Sequence, residues 1–180
     1  MRLNIRILEV EDVTNNYVRW YSDSEVTRFS DNQYRKFSFD GQCQYVSDCL
    51  KNSTIDLYGI FDNQFHIGNI VISNLNSVHK RSEITYVVGE HSYWGKGVAT
   101  FAISEIIVLA REKYRLNKLI AGLAQGNIGS QKVLEKNGFI LEGHRYEHLL
   151  YNGVYHNQLD YGLVLSKEKK IENESLISSE

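Results

Sequence analysis

Residues 92–100 read SYWGKGVAT, two glycines flanking a lysine where a strand-like run gives way to a long apolar helical run. Two chemistries fit that spacing. Gly95 and Gly97 can let the backbone turn sharply with nothing bound. Alternatively, they open the first turn of the following helix, whose unpaired N–H groups and partial positive charge attract anions. Lys96 adds a charge beside those donors, and a pyrophosphate suits the second use. Two familiar phosphate patterns do not match. The P-loop requires GxxxxGK[ST], which is absent. The dinucleotide fingerprint GxGxxG is met at Gly95 and Gly97, but Thr100 stands at its third glycine.

The elements that must position this turn follow from periodicity. Residues 3–8 alternate as a first strand, and 13–21 read as a short helix. The stretch 22–39 is too polar for a core and too aromatic for a linker. Residues 40–51 predict a helix with Asp40 as its N-cap. Strands follow at 55–61, 66–73 and 82–88, then the glycine turn, then a helix over 98–114 with apolar residues at helical spacing. Residues 118–123 predict a buried strand, and 127–137 a helix stopped by Asn137-Gly138. Two long strands, 139–148 and 154–164, meet at Tyr151-Asn152-Gly153, a strong hairpin signal. This order predicts one α/β (α+β) domain over 1–165 on a mostly antiparallel sheet, with a charged tail at 166–180.

The third phosphate pattern fits. The strand EITYVVG, the loop SYWGKGVAT and the long helix after them resemble motif A of the GCN5-related N-acetyltransferases (GNAT). The segment NIGSQKVLEKNGF and the hairpin behind it resemble that family's next motif, in the variant of the ribosomal-protein N-terminal acetyltransferases. The two stand in the family's order and separation. The resemblance implies the GNAT fold: about seven strands and about four helices, with the sheet splayed where acetyl-CoA binds. It implies an N-acetyltransferase that moves acetyl directly to a primary amine. The alternative is a non-catalytic acyl-CoA-binding module.

The resemblance also assigns roles. Tyr86, Val87 and Val88 would offer backbone groups to pantetheine, with an N–H near Val87 polarising the thioester carbonyl. Trp94, Gly95, Lys96, Gly97, Val98, Ala99 and Thr100 would hold the pyrophosphate. Asn127 would meet the pantetheine and Ser130 the sulfur. Two positions depart from the family. Ser92 replaces a Gln or Arg before the glycines, and Leu134 replaces a tyrosine that many members use to protonate the leaving thiolate. Ser130 or a water is then the proton donor. An attacking amine must lose a proton, since its pKa is about 8 to 10.4, and Glu83, at the start of the thioester strand, is the candidate base, directly or through water. Its bland alternative is a solvated strand-edge charge.

The acceptor wall in this family is variable. Arg28, Tyr34, Arg35 and Lys36 form a basic, aromatic group suited to a nucleotide-linked amino sugar, or else an ordinary loop surface. His144, Tyr146 and His148, with Tyr155 and His156, either line the amine pocket or decorate an exposed hairpin. An open acidic groove would instead suit a protein N-terminus. No histidine spacing matches a metal motif, so no metal is expected.

Composition sets outer limits. Across 180 residues the formal net charge is −2, with 42% hydrophobic residues. There is no basic field for nucleic acid and no apolar run long enough for a membrane. The N-terminal alternation lacks the apolar stretch of a signal peptide. Cys43 and Cys49 fit no CxxC spacing and read as reduced thiols, so a cytoplasmic protein is expected. A homodimer through the C-terminal hairpin is an expectation by family analogy only.

Overall fold

Branched and aromatic residues at alternate positions produce seven strands, and they join into one sheet of order β1-β2-β3-β4-β5-β7-β6. The strands are β1 (Leu3–Ile7), β2 (Ile55–Asp62), β3 (Phe65–Ser73), β4 (Arg81–Val88), β5 (Lys118–Ala124), β6 (Ile140–Tyr151) and β7 (Val154–Val164). Among the described residues, five α-helices accompany them: α1 (Asn15–Trp20), α2 (Ser24–Thr27), α3 (Phe39–Lys51), α4 (Val98–Glu112) and α5 (Ile128–Lys136). This computed structural model describes residues 1–75 and 78–165, so the tail expected at 166–180 lies outside the described residues.

The sheet is covered on both faces. Ala102, Ile103, Ile106 and Ala110 of α4 keep a 3.6-residue spacing and pack on Ile70, Ile72 and Ile84. On the other face Tyr17 and Trp20 of α1 and Val46 of α3 close over Leu57 and Phe61. The elements match the predicted order, with three local differences. Ser38, not Asp40, caps α3, because its hydroxyl reaches the Gly41 amide at 3.1 Å. The polar stretch after α1 holds a fifth helix, α2, capped by the Asp23 carboxylate on the amides of Glu25 and Val26. Strand β6 runs on to the Asn152-Gly153 turn, where both residues take positive φ (51° and 77°) as a two-residue hairpin requires.

Five of the six strand junctions in this sheet are antiparallel; the exception is the junction of β4 with β5. These two pair in parallel over only three positions, Arg81–Glu83 against Lys118–Ile120. Beyond Glu83, β4 stays with β3 as far as Val88, while β5 stays with β7 as far as Ala124. The sheet therefore splits along one edge of β4.

Candidate active site

The split opens into a cleft of about 840 Å³ that runs from the N-terminus of α4 to the region between α1 and α3. Its wall along β4 is read from the ladder. Gly89 donates to Ile67 O at 2.9 Å, and antiparallel pairs alternate between bonded and open positions. The backbone groups of Thr85 and Val87 therefore face β3, and those of Tyr86 and Val88 face the split. This corrects the expectation for Val87: its side chain lines the cleft, but the amide free to polarise a carbonyl is that of Val88. The Val88 carbonyl is already engaged, because the Trp94 indole donates to it at 2.7 Å.

At the mouth stands α4. Gly97 is its N-cap, with φ 82°, a left-handed conformation that costs a side-chain-bearing residue free energy. It brings no capping side chain, and the first intrahelical bond is Phe101 N to Gly97 O at 2.9 Å. The amides of Val98, Ala99 and Thr100 are thus left pointing outward. A Cβ on Gly95 or Gly97 would meet nothing within 4 Å, so open space lies over the loop. Trp94, Gly95, Gly97, Val98, Ala99 and Thr100 all line the cleft. Lys96 does not. Its amide turns back to Tyr93 O and its ammonium lies 5.9 Å from the Tyr93 ring centre. The lysines that do line the cleft are Lys132 and Lys136, one turn apart on α5. Their i, i+4 spacing was visible in the sequence, but nothing there said which face of α5 meets the turn.

Asn127 and Ser130 come together at the start of α5. Asn127 caps α5, its Oδ1 accepting from the Ser130 amide at 3.3 Å, and both residues line the cleft. Tyr86 crosses from β4 and donates its hydroxyl to Ser130 O at 3.3 Å. Burial pushes the Tyr86 phenol up to about 12, so it holds its proton at neutral pH and is a poor acid for a thiolate. Leu134 is fully buried in the core, so no acid stands at the tyrosine position.

The far end of the cleft is lined by Tyr21, Glu25, Val26, Arg28, Asp31 and Arg35, above a floor of Leu57, Asn69, Val71 and Thr85. Arg28 and Arg35, of the basic group noted in the sequence, line the cleft. Glu25, Asp31, Tyr21 and Asn69 were missed. Asn69 was signalled only as a polar residue inside the apolar run IGNIVI. Glu83 sits at the vertex of the split, half-buried and outside the cleft lining.

Four acceptor assignments do not hold. Tyr34 accepts from the Asn152 amide at 2.8 Å and donates to Leu150 O at 3.1 Å, tying its loop to the hairpin tip. His144, Tyr146 and His148 lie outside the cleft lining on β6, an exposed edge strand. The reason is the strand face: His144 stands opposite Leu159 of β7, whereas Leu149 stands opposite His156 on the other face. Between Arg145 and Leu149 the register with β7 shifts, and Glu147 takes φ 45°. Leu149 and Tyr151, past the bulge, reach the cleft instead.

A seven-stranded sheet split between its parallel pair, with an uncapped helix N-terminus at the split, is the architecture of the GNAT acetyltransferases. The chain belongs to that family: the model described as Acetyltransferase (GNAT) domain matches residues 2–140. It is 35% identical over 97 residues to "Putative ribosomal N-acetyltransferase YdaF" of Bacillus subtilis (strain 168), a match covering 54% of this chain and 52% of that protein. The chain thus spans about half the length of that relative. It is 27% identical over 148 residues to "Uncharacterized N-acetyltransferase p20" of Bacillus licheniformis, covering 79% and 81% of the two chains. In structure it resembles the spermidine N-acetyltransferase from Vibrio cholerae in complex with CoA and spermine, with a TM-score of 0.80, 20% identity, and 91% and 96% of the two chains covered. At that identity the likeness concerns the fold.

Proposed function

We propose that this chain transfers acetyl from acetyl-CoA to the primary amine of an acceptor that enters from the α1–α3 end of the cleft. The observation that carries the reading is the open edge of β4 running straight to the uncapped N-terminus of α4. That edge offers the amides of Tyr86 and Val88 to an amide-bearing arm. The helix end offers three amides to a pyrophosphate, with Lys132 and Lys136 as cationic neighbours. Donor type, spacing and the empty space over Gly95 and Gly97 all fit such a group.

Bound acetyl-CoA would supply the acetyl group as a thioester. The chain's own residues do the rest. The Val88 amide polarises a carbonyl held against β4. Asn127, fixed as a cap, keeps its Nδ2 free for an amide of the arm. Ser130 is the hydroxyl nearest the split on α5 and supplies a proton there directly or through water. Glu83, at the vertex, removes the amine proton through water, and Thr85, on the same strand face, is the nearest part of the cleft floor along β4.

The acceptor end carries both signs of charge, Glu25 and Asp31 against Arg28 and Arg35, with Arg28 Nη1 3.7 Å from Glu25 Oε2. The arginines favour a small amine bearing an anionic group, such as a nucleotide-linked amino sugar. The carboxylates favour a protein or peptide N-terminus. A screen that follows release of CoA thiol across peptide N-termini, polyamines, aminoglycosides and nucleotide amino sugars separates the two. Acetyl-CoA binding without thiol release for any amine would support a binding module instead. Absence of acetyl-CoA binding would end the proposal.

A further inference from the structure

Under the acceptor end of the cleft lies a buried polar chain that the transfer chemistry above does not use. His66 is 7% exposed and enclosed by aromatic rings, with Phe61 stacked 5.0 Å away and Tyr17 and Trp20 edge-on at 5.2 and 5.0 Å. Burial holds its pKa below the ordinary histidine value, so the ring is neutral. Its Nε2 is 3.0 Å from Gly68 O and 2.8 Å from Asn69 Oδ1. A backbone carbonyl can only accept, so Nε2 carries the proton, and the Asn69 atom facing it must be the oxygen.

That fixes the Asn69 amide. Its Nδ2 must point away from His66, and it does so at 3% residue exposure with no well-aligned partner among the described residues. The Tyr17 hydroxyl is likewise buried and without a well-aligned partner. The polar group beside both is the Tyr21 hydroxyl. Tyr21 is held in place by a stacked contact with Phe37, 4.4 Å between centres, and unlike Tyr17 it lines the cleft. The Tyr21 oxygen is thus the acceptor open to two buried donors that lack a well-aligned partner. Accepting from both, it keeps its own proton for the cleft that Tyr21 lines.

We infer that Tyr21, oriented by Asn69 and His66, is a specificity residue for the acceptor: a hydrogen-bond donor that takes an oxygen carried close to the reacting amine. This rests on reading that end of the cleft as the acceptor end. A peptide N-terminus has such an oxygen in its first carbonyl, and an amino sugar has one in a neighbouring hydroxyl. A polyamine has none, and a phenol with both lone pairs engaged offers nothing to a second ammonium. Asn69 and His66 act as positioning residues.

The test uses glycinamide and n-propylamine, amines with and without that oxygen, titrated by NMR into the full chain saturated with CoA. Wild type binds glycinamide about five- to tenfold more tightly than n-propylamine, the weight of one neutral hydrogen bond. Tyr21→Phe keeps the Phe37 stack and equalises the two affinities by weakening glycinamide alone. Asn69→Leu narrows the difference with the same signature, and thermal melts check that both variants fold. Equal affinities in wild type, or an undiminished difference in Tyr21→Phe, would overturn the inference. Thiol release with the same two amines is read separately. If glycinamide binds with the stated preference but no acetyl is transferred, the proposed function fails and the role of Tyr21 stands.

Discussion

Replacing Gly97 with alanine separates the backbone cost of the turn from its contact with a ligand. Gly97 holds φ 82°, and a Cβ there meets nothing within 4 Å, so the folded chain suffers strain but no clash. The left-handed conformation costs an alanine roughly 1–2 kcal/mol. For a chain of this size about 1 kcal/mol lowers Tm by roughly 2–4 °C, so a fall of about 2–8 °C is expected. Gly153 is the control. It sits at the hairpin tip with φ 77°, and a Cβ there also meets nothing within 4 Å, so Gly153→Ala carries a similar cost far from the cleft. The two variants should melt within a few degrees of each other. In calorimetric titration with acetyl-CoA they should diverge. Gly153→Ala binds as wild type does, and Gly97→Ala binds at least about tenfold more weakly, because its methyl enters the space a phosphate needs to reach the amides of Val98 to Thr100. Equal affinity in the two variants would refute the assignment of that space to the ligand.

Three other outcomes follow. Lys132→Ala and Lys136→Ala should each weaken acetyl-CoA binding a few-fold in low salt, and the loss should shrink at high ionic strength, as titrations at two salt concentrations would read. Glu83→Gln should lower kcat at neutral pH and restore part of it as pH rises toward the amine's own pKa; a pH–rate profile parallel to wild type would remove Glu83 from proton transfer. Asp12 is held below the usual carboxylate range by its bond to Arg6, with Arg6 Nη1 2.6 Å from Asp12 Oδ2. A depressed folded pKa adds stability that is present above the unfolded value and lost as pH falls through the folded one. Asp12→Asn should therefore cost about 1–2 kcal/mol at pH 7, and progressively less as pH falls through the folded pKa of Asp12, in denaturant melts.

Much of the cleft could be read from residue types because its parts are local. A glycine turn between a strand and a helix, and an asparagine three residues before Ser130, each specify their geometry within one turn of chain. The long-range parts were not legible. Whether Val87 or Val88 turns its amide to the split depends on the register of β4 against β3, which no residue type encodes. The histidines of β6 were read as sharing a face, but spacing could not say which face meets the cleft, and His144 stands opposite Leu159 on the face away from Leu149. Lys96 read as a phosphate contact by adjacency in sequence, yet it turns to Tyr93, while Lys132 and Lys136 arrive from another helix. Helix α2 was hidden because four residues with one apolar side chain show no periodicity; it is held by the Asp23 cap, with Thr27 buried and Val26 packed on the core.

The most direct test of the central claim is amide hydrogen exchange of the chain with and without saturating acetyl-CoA. The account predicts slowed exchange at Tyr86 and Val88 on the open edge of β4 and at Val98, Ala99 and Thr100 at the start of α4, with Thr85 and Val87, already paired to β3, unchanged. Protection confined to other segments, or none at these amides under conditions where acetyl-CoA binds, would contradict it.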